Sequence, residues 1–191
     1  LEGYMFHSFN DFKKNINNNP KVLDNIKNSG LVKKIGVSVY TNDELEDLLN
    51  FKNINLIQLP FNLFDNEYQR KEILEKAKKG NIEIHTRSVF LQGLFFKNIN
   101  TLNTILLPLK NNLRELSLIS KNSDISMESL ALNYPLNKTY IDKVIIGVDS
   151  LEQLKDNIKA TEDDFDKYIY EKIDCIQINK IELLNPSNWK I

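Results

Sequence analysis

Ser38, Gln58, Arg87 and Asp149 each lie where a short apolar run gives way to polar residues, and His7 closes a shorter run, Tyr4–Phe6. A histidine in such a place can donate a hydrogen bond to a carbonyl oxygen on which negative charge builds. The competing reading is a structural histidine with its own hydrogen bonds satisfied. Ser38 and Gln58 either hold a ligand or bond to strand-end backbone. Arg87 shares an alternation face with Glu83 and His85, so an ion pair with Glu83 is open to it. His7 and His85 come from separate runs and lack a third ligand, which argues against a metal. The single cysteine, Cys175, excludes an intramolecular disulfide and a cysteine-based zinc site, and reads as a buried or partly buried thiol.

The runs that place these residues are Lys34–Tyr40, Asn55–Asp65, Ile82–Leu94 and Val144–Leu154, each followed by a helix-like segment. Repeated strand–helix alternation predicts an α/β fold with a parallel sheet. In barrels of that kind chemistry sits at the strand C-termini, where the loops surround one mouth. Counting Tyr4–Phe6, the pattern gives five strands, the last over Val144–Ile146. Along the second strand Gly36 and Ser38 share one face, and Ile35, Val37 and Val39 the other. An open doubly wound sheet is the alternative, but GxGxxG after the first strand is missing, Gly3 being the only glycine nearby. A partial barrel fits better.

Helices are expected after Pro20, with Gly30 as C-cap, and after the capping-box pattern Thr41–Glu44. Further helices are expected over Glu67–Lys79, Leu113–Ser120, Ser126–Tyr134 (stopped by Pro135), Leu151–Ala160 and Phe165–Ile173. The polar, Asn-rich stretch Asn10–Asn19 reads as a loop or a weak helix start, and Leu94–Asn112 as loop. Trp189 is expected to dock rather than stay in water.

A chain of 191 residues supports one domain, taken as residues 1–191. Lys+Arg 25 against Asp+Glu 26 gives a net charge of -1, so nothing points to nucleic acid or an acidic membrane surface. No apolar stretch approaches the roughly 18 residues of a bilayer span, and no signal peptide is visible, so the cytoplasm is the expected compartment. The chain opens at Leu1 and enters an apolar run almost at once, which reads as a piece of a longer protein.

GVSVY (Gly36–Tyr40), IQLPFNLFD (Ile57–Asp65), RSVFLQGL (Arg87–Leu94) and IIGVDSLEQLKDNI (Ile145–Ile158) together resemble the aldo/keto reductases, in that family's order and spacing. NPSNW (Asn185–Trp189) looks like the tail of one bacterial branch, so the likeness covers nearly the whole chain. It implies a (β/α)8 barrel of TIM type, present here from its fourth strand on, with a nicotinamide cofactor across the strand ends. It also implies reduction of a small aldehyde or ketone by NADPH or NADH. His7 matches the family's catalytic histidine. The family's catalytic Asp, Tyr and Lys belong to its first strands and have no counterpart here. Complete catalysis therefore needs a missing N-terminal segment, or self-association closes the ring. The alternative is a truncated or degenerate half-barrel that keeps partial nucleotide binding without catalysis.

The resemblance further implies that Ser38 and Gln58 hold the nicotinamide carboxamide, although Val39 stands where Asn is usual. Arg87 replaces a stacking aromatic ring; a guanidinium is planar and can stack, and its charge disfavours the oxidised ring. Ser88, Phe90, Gln92 and Gly93 match the pyrophosphate loop, and Gly147, Gln153 and Asn157 the adenosine end. Gly147, Asp149 and Gln153 stand where cations for a 2′-phosphate are common, so both NADP and NAD remain open. Leu94–Lys110 selects no substrate class.

Overall fold

A computed structural model describes residues 1–163 and 165–189, which divide into two compact units. The first comprises Leu1–Pro60, Lys71–Thr86 and Tyr140–Lys143. Its strands belong to one five-stranded sheet in the order β1 (Gly3–Phe6), β2 (Lys34–Ser38), β3 (Leu56–Pro60), β4 (Glu83–Arg87) and β5 (Lys143–Val144). The last residues of β4 and β5, Arg87 and Val144, count with the second unit. β1 pairs parallel with β2, and β2 with β3.

Alternation gives the sheet two unlike faces. Ile35, Val37, Val39, Ile57, Leu59 and Ile84 are buried, while Met5, Gln58, Glu83 and His85 on the other face are half-buried. Gly36 sits where the strands come closest: a Cβ there would lie 2.8 Å from the Leu56 carbonyl oxygen. Helices α1 (Phe9–Asn18), α2 (Val22–Asn28), α3 (Asn42–Leu48) and α4 (Glu67–Lys79) make the crossovers.

The Asn-rich stretch is helical rather than loop. Ser8 Oγ accepts from the Asp11 N–H at 3.1 Å, and the buried Phe12 ring meets Phe6 and Phe51 edge-on at 5.5 and 4.9 Å. A cap and one aromatic anchor outweigh the poor propensity of its asparagines. α2 starts after Lys21, one residue beyond Pro20. The Thr41–Glu44 capping box forms as expected.

The second unit comprises Phe61–Arg70, Arg87–Thr139 and Val144–Ile191. It holds α5 (Lys110–Ser123), α6 (Met127–Leu136), α7 (Leu151–Ala160) and α8 (Lys167–Asp174). The stretch expected as loop contains the 3₁₀ turns Leu91–Phe96, Ile99–Thr101 and Thr104–Leu109, tied down by buried Leu94, Phe95, Leu106 and Leu109. α6 runs past Pro135, because the Asn137 N–H still reaches the Asn133 carbonyl at 3.0 Å. The last strand spans Lys143–Val144 only, shorter than the expected Val144–Ile146. Trp189 is buried, its indole N–H donating to the Leu183 carbonyl at 2.9 Å. Cys175, expected at least partly buried, is exposed: as C-cap of α8 it lies off the inward face of Ile169, Tyr170 and Ile173. No helix among the described residues is long and apolar enough to cross a membrane.

Candidate functional site

In the first unit the sheet brings Ser38 and Gln58 together. They are register partners, with the Val39 N–H donating to the Gln58 carbonyl at 2.8 Å; Ser38 ends β2 as expected, whereas Gln58 is the middle residue of β3, which runs on through Leu59 and Pro60. Phe6 pairs with Val37, so His7 leaves β1 at the same level as Ser38. Ser38 is buried, Gln58 half-buried and His7 exposed. This row sets a hydroxyl, an amide and an imidazole at one level of three adjacent parallel strands.

Lower on the same face lies a charged network. Glu83 takes Lys34 at 2.5 Å, His85 at 2.7 Å and Lys143 at 3.3 Å, and Lys34 also meets Glu2 at 3.2 Å. The Lys34 ammonium, then the His85 ring, hold the Glu83 carboxyl down at about 2, against the smaller upward push of burial. Glu83 is thus engaged by three cationic or basic groups. Alternation put His85 on the Glu83 face but offered Arg87 as the ion-pair partner there, and Lys34 and Lys143 depend on strand order.

In the second unit, Arg87 and the residues after it form a loop of unusual backbone. Ser88, Leu91, Gln92 and Gly93 all have positive φ, at 59°, 44°, 54° and 71°. For the three non-glycine residues this conformation costs on the order of 1–3 kcal/mol each and persists only where the surroundings enforce it. Buried Val89, Leu91, Leu94 and Phe95 anchor the loop from below. The Phe61 N–H donates to the Arg87 carbonyl at 3.2 Å, the Asn62 amide donates to the Ser88 carbonyl at 3.2 Å, and Arg87 Nη1 donates to Ser88 Oγ at 3.2 Å. Asn62 Oδ1 in turn accepts from the Phe64 and Asp65 N–H groups, both at 3.0 Å, an Asx turn that locks the support. Sequence reasoning missed Asn62, and its place two residues after Pro60 was the available signal. Phe90 and Gly93 are half-buried and Gln92 exposed. Backbone N–H groups in left-handed turns of this kind can converge on an anion.

α7 supplies the remaining predicted residues. Ser150 Oγ caps it by accepting from the Gln153 N–H at 3.1 Å, and Gln153 Oε1 reaches back to the Asp149 N–H at 2.7 Å. Gly147 and Asp149 are exposed on the approach to the helix. One turn after Gln153, Asn157 is 4% exposed and its Nδ2 is buried without a hydrogen-bond partner. A buried amide donor left unsatisfied costs about 1–3 kcal/mol, so an acceptor from a ligand fits there.

A second buried polar cluster was not anticipated. Lys138 meets both Asp174 oxygens at 2.7 and 2.8 Å and also Glu67, and its ammonium sits 4.7 Å from the Tyr134 ring centre. The Tyr134 hydroxyl donates to Asp174 at 2.5 Å and accepts from the Glu67 N–H at 2.9 Å. Burial pushes the Asp174 carboxyl up, against the pull of Lys138 and Tyr134. The described residues contain no cluster of three or more His, Cys, Asp or Glu able to hold a metal.

The sequence pattern described as "Aldo/keto reductase family" matches residues 3–178. A Bacillus subtilis (strain 168) protein called "Uncharacterized oxidoreductase YqkF" is 24% identical over 171 residues, 84% of this chain and 54% of that protein. The apo form of aldo-keto reductase AKR11C1 from Bacillus halodurans superposes with a TM-score of 0.68 at 19% identity, over 91% of this chain and 60% of that one. The thermostable aldo-keto reductase Tm1743, solved with the inhibitor epalrestat, gives a TM-score of 0.61 at 20% identity, over 91% and 59%. These superpositions establish the fold, a parallel α/β arrangement of the barrel type. The chain spans about half the length of the curated relative it matches.

Proposed function

Since the chain belongs to the aldo/keto reductase family, we propose that it forms the cofactor-holding part of an oxidoreductase that reduces an aldehyde or ketone with a nicotinamide dinucleotide. The observation that carries this reading is the left-handed run at Ser88, Leu91, Gln92 and Gly93. It falls on the stretch that the family likeness assigns to the pyrophosphate, and strained backbone of this kind concentrates at ligand sites. The orphan amide of Asn157 supports the same reading from the adenosine end.

When bound, the cofactor supplies the hydride. His7 would donate a hydrogen bond to the substrate carbonyl, countering charge that develops on that oxygen. Ser38 and Gln58 would orient the carboxamide, and Arg87, pinned by Ser88, would lie flat against the ring. Ser88, Phe90, Gln92 and Gly93 would line the pyrophosphate, while Gly147, Gln153 and Asn157 would hold the adenosine. The proton-donating Tyr with its Asp and Lys would come from outside these residues. Without a general acid the rate falls typically by about 10²–10⁴-fold.

The test is a fluorescence titration of NADH and NADPH into the chain, alongside steady-state reduction of a panel of small aldehydes. The reading expects saturable binding, weakened by Gly93→Val, with turnover that is slow or absent until the segment bearing the proton donor is supplied. Failure of both nucleotides to bind refutes it.

A further inference from the structure

In the second unit α5 and α8 pack against each other and bury Leu113, Leu116 and Ile119 from one, Ile169, Tyr170 and Ile173 from the other. Their outer sides leave a groove of about 510 Å³ between them. Glu115, Leu118 and Ile119 line it from α5, and Tyr168, Glu171 and Cys175 from α8. These are the i, i+3, i+4 and i+7 spacings of helix rows that pack on another helix. Ile119 is buried at the floor, whereas Leu118 and Tyr168 on the two walls are 58% and 60% exposed. A lone exposed apolar side chain is ordinary, but two that flank one groove over an apolar floor form a contact surface.

The charges around this groove are sorted. Its recess holds the carboxylates of Glu115 and Glu171, the latter 3.4 Å from Lys167. Lys172 also lines it, with its ammonium drawn to 4.4 Å from the Tyr168 ring centre. Arg114 and Lys121 stand one turn to either side of Leu118, at i−4 and i+3, and both are exposed. The protruding Leu118 is thus rimmed by cations and the recess by carboxylates, on one face. A surface that carries both a knob and its complementary hole matches a copy of itself turned about a two-fold axis.

We propose that the α5–α8 face is a homodimer interface. Leu118 of each copy enters the groove of the other, Lys121 meets Glu115 of the second copy, and Arg114 meets its Glu171. The proposal is independent of the cofactor reading, since neither helix carries a residue assigned to the nucleotide. At 1.5 Å per residue α5 and α8 are only about 21 and 12 Å long, which puts the contact at the small end of specific interfaces. The dimer is therefore weak and concentration-dependent.

Sedimentation equilibrium of the intact chain from about 5 to 500 μM, a range suited to so small an interface, tests this. A monomer–dimer equilibrium is expected. Leu118→Asn should weaken it at least tenfold with an unchanged circular dichroism spectrum, because that side chain lies outside the core. Lys121→Glu and Glu115→Lys should each weaken it, and the two together should recover most of the loss, since opposite signs face each other again. A bulky maleimide on Cys175, the single cysteine, fills the groove of the unmutated chain and should abolish association. A monomer at every concentration overturns the proposal. A dimer unmoved by Leu118→Asn and by the Cys175 label forms through another surface, and overturns it too. Growth past the dimer mass that Leu118→Asn blocks, or a double variant no better than its single variants, overturns the two-fold pairing.

Discussion

Replacing Glu83 with Gln should cost stability at neutral pH and almost none in acid. Its carboxyl is held at about 2 in the folded chain, mainly by Lys34 and His85, against an ordinary 4.5. Taken at face value, that depression is worth about 3 kcal/mol above pH 5. The partners are not sealed from water: the Lys34 side chain is 33% exposed and that of Lys143 57%, so solvent screening reduces the expected loss to about 1–2 kcal/mol. Because the folded value lies below the unfolded one, the contribution is fully present above about pH 4.5 and disappears as the pH falls through 2. Urea unfolding at pH 7 and pH 2.5, for wild type and Glu83→Gln, reads this directly. The wild type should lose more stability than the variant between the two pH values. An equal loss at both pH values would mean that Glu83 acts through packing and not through its charge, and the argument would fail.

Lys138→Met should be more damaging, because it strands Glu67 and Asp174 around an uncharged chain. Losing one partner of a buried ion pair costs about 3–5 kcal/mol, or roughly 6–20 °C in thermal unfolding. With Lys138 gone the Asp174 carboxyl, already raised by burial, should rise further, so the deficit grows from pH 5 to pH 8; adding Asp174→Asn should recover part of it. Gly36→Ala should lose about 1–3 kcal/mol by urea titration, since its Cβ would lie 2.8 Å from the Leu56 carbonyl oxygen and 2.9 Å from the Leu56 Cγ. Asn157→Leu should leave the unfolding free energy within about 1 kcal/mol of wild type, because it removes an unsatisfied donor, while weakening nucleotide binding at least tenfold in a fluorescence titration.

Much of the fold was legible because local signals agreed with one another. The spacing around Ile73, Leu74 and Ala77, closed by Gly80, predicted the helix Glu67–Lys79 with its observed bounds, and the helix expected after the last strand, Leu151–Ala160, also has its observed bounds. Alternation at Gly36 and Ser38 put Ser38 beside Gln58 once the strands were taken as neighbours. Errors fell where a distant contact decided the outcome. The Asn10–Asn19 stretch, read as a loop or a weak helix start, is helical because Phe12 finds Phe6 nearby and Phe51 far along the chain. The Asn62–Ser88 bond and the Lys138 cluster could not be read locally, since Ser88 and Asp174 lie 26 and 36 residues from their partners; for Asn62 itself only its place after Pro60 gave a hint. Of the left-handed residues Ser88, Leu91, Gln92 and Gly93 only the last is a glycine, so composition gave no warning of the other three.

The two glycines that flank Leu56 face different evolutionary futures. At position 3 a methyl group would meet the Leu56 side chain, 3.3 Å away, so a larger residue there becomes acceptable when position 56 shrinks. At position 36 a methyl group would meet the Leu56 Cγ at 2.9 Å and also the Leu56 carbonyl oxygen at 2.8 Å, and the carbonyl is one that every amino acid carries. Among relatives that keep this strand pairing, positions 3 and 56 should drift as a compensating pair, whereas position 36 has no exchange partner and should stay invariant.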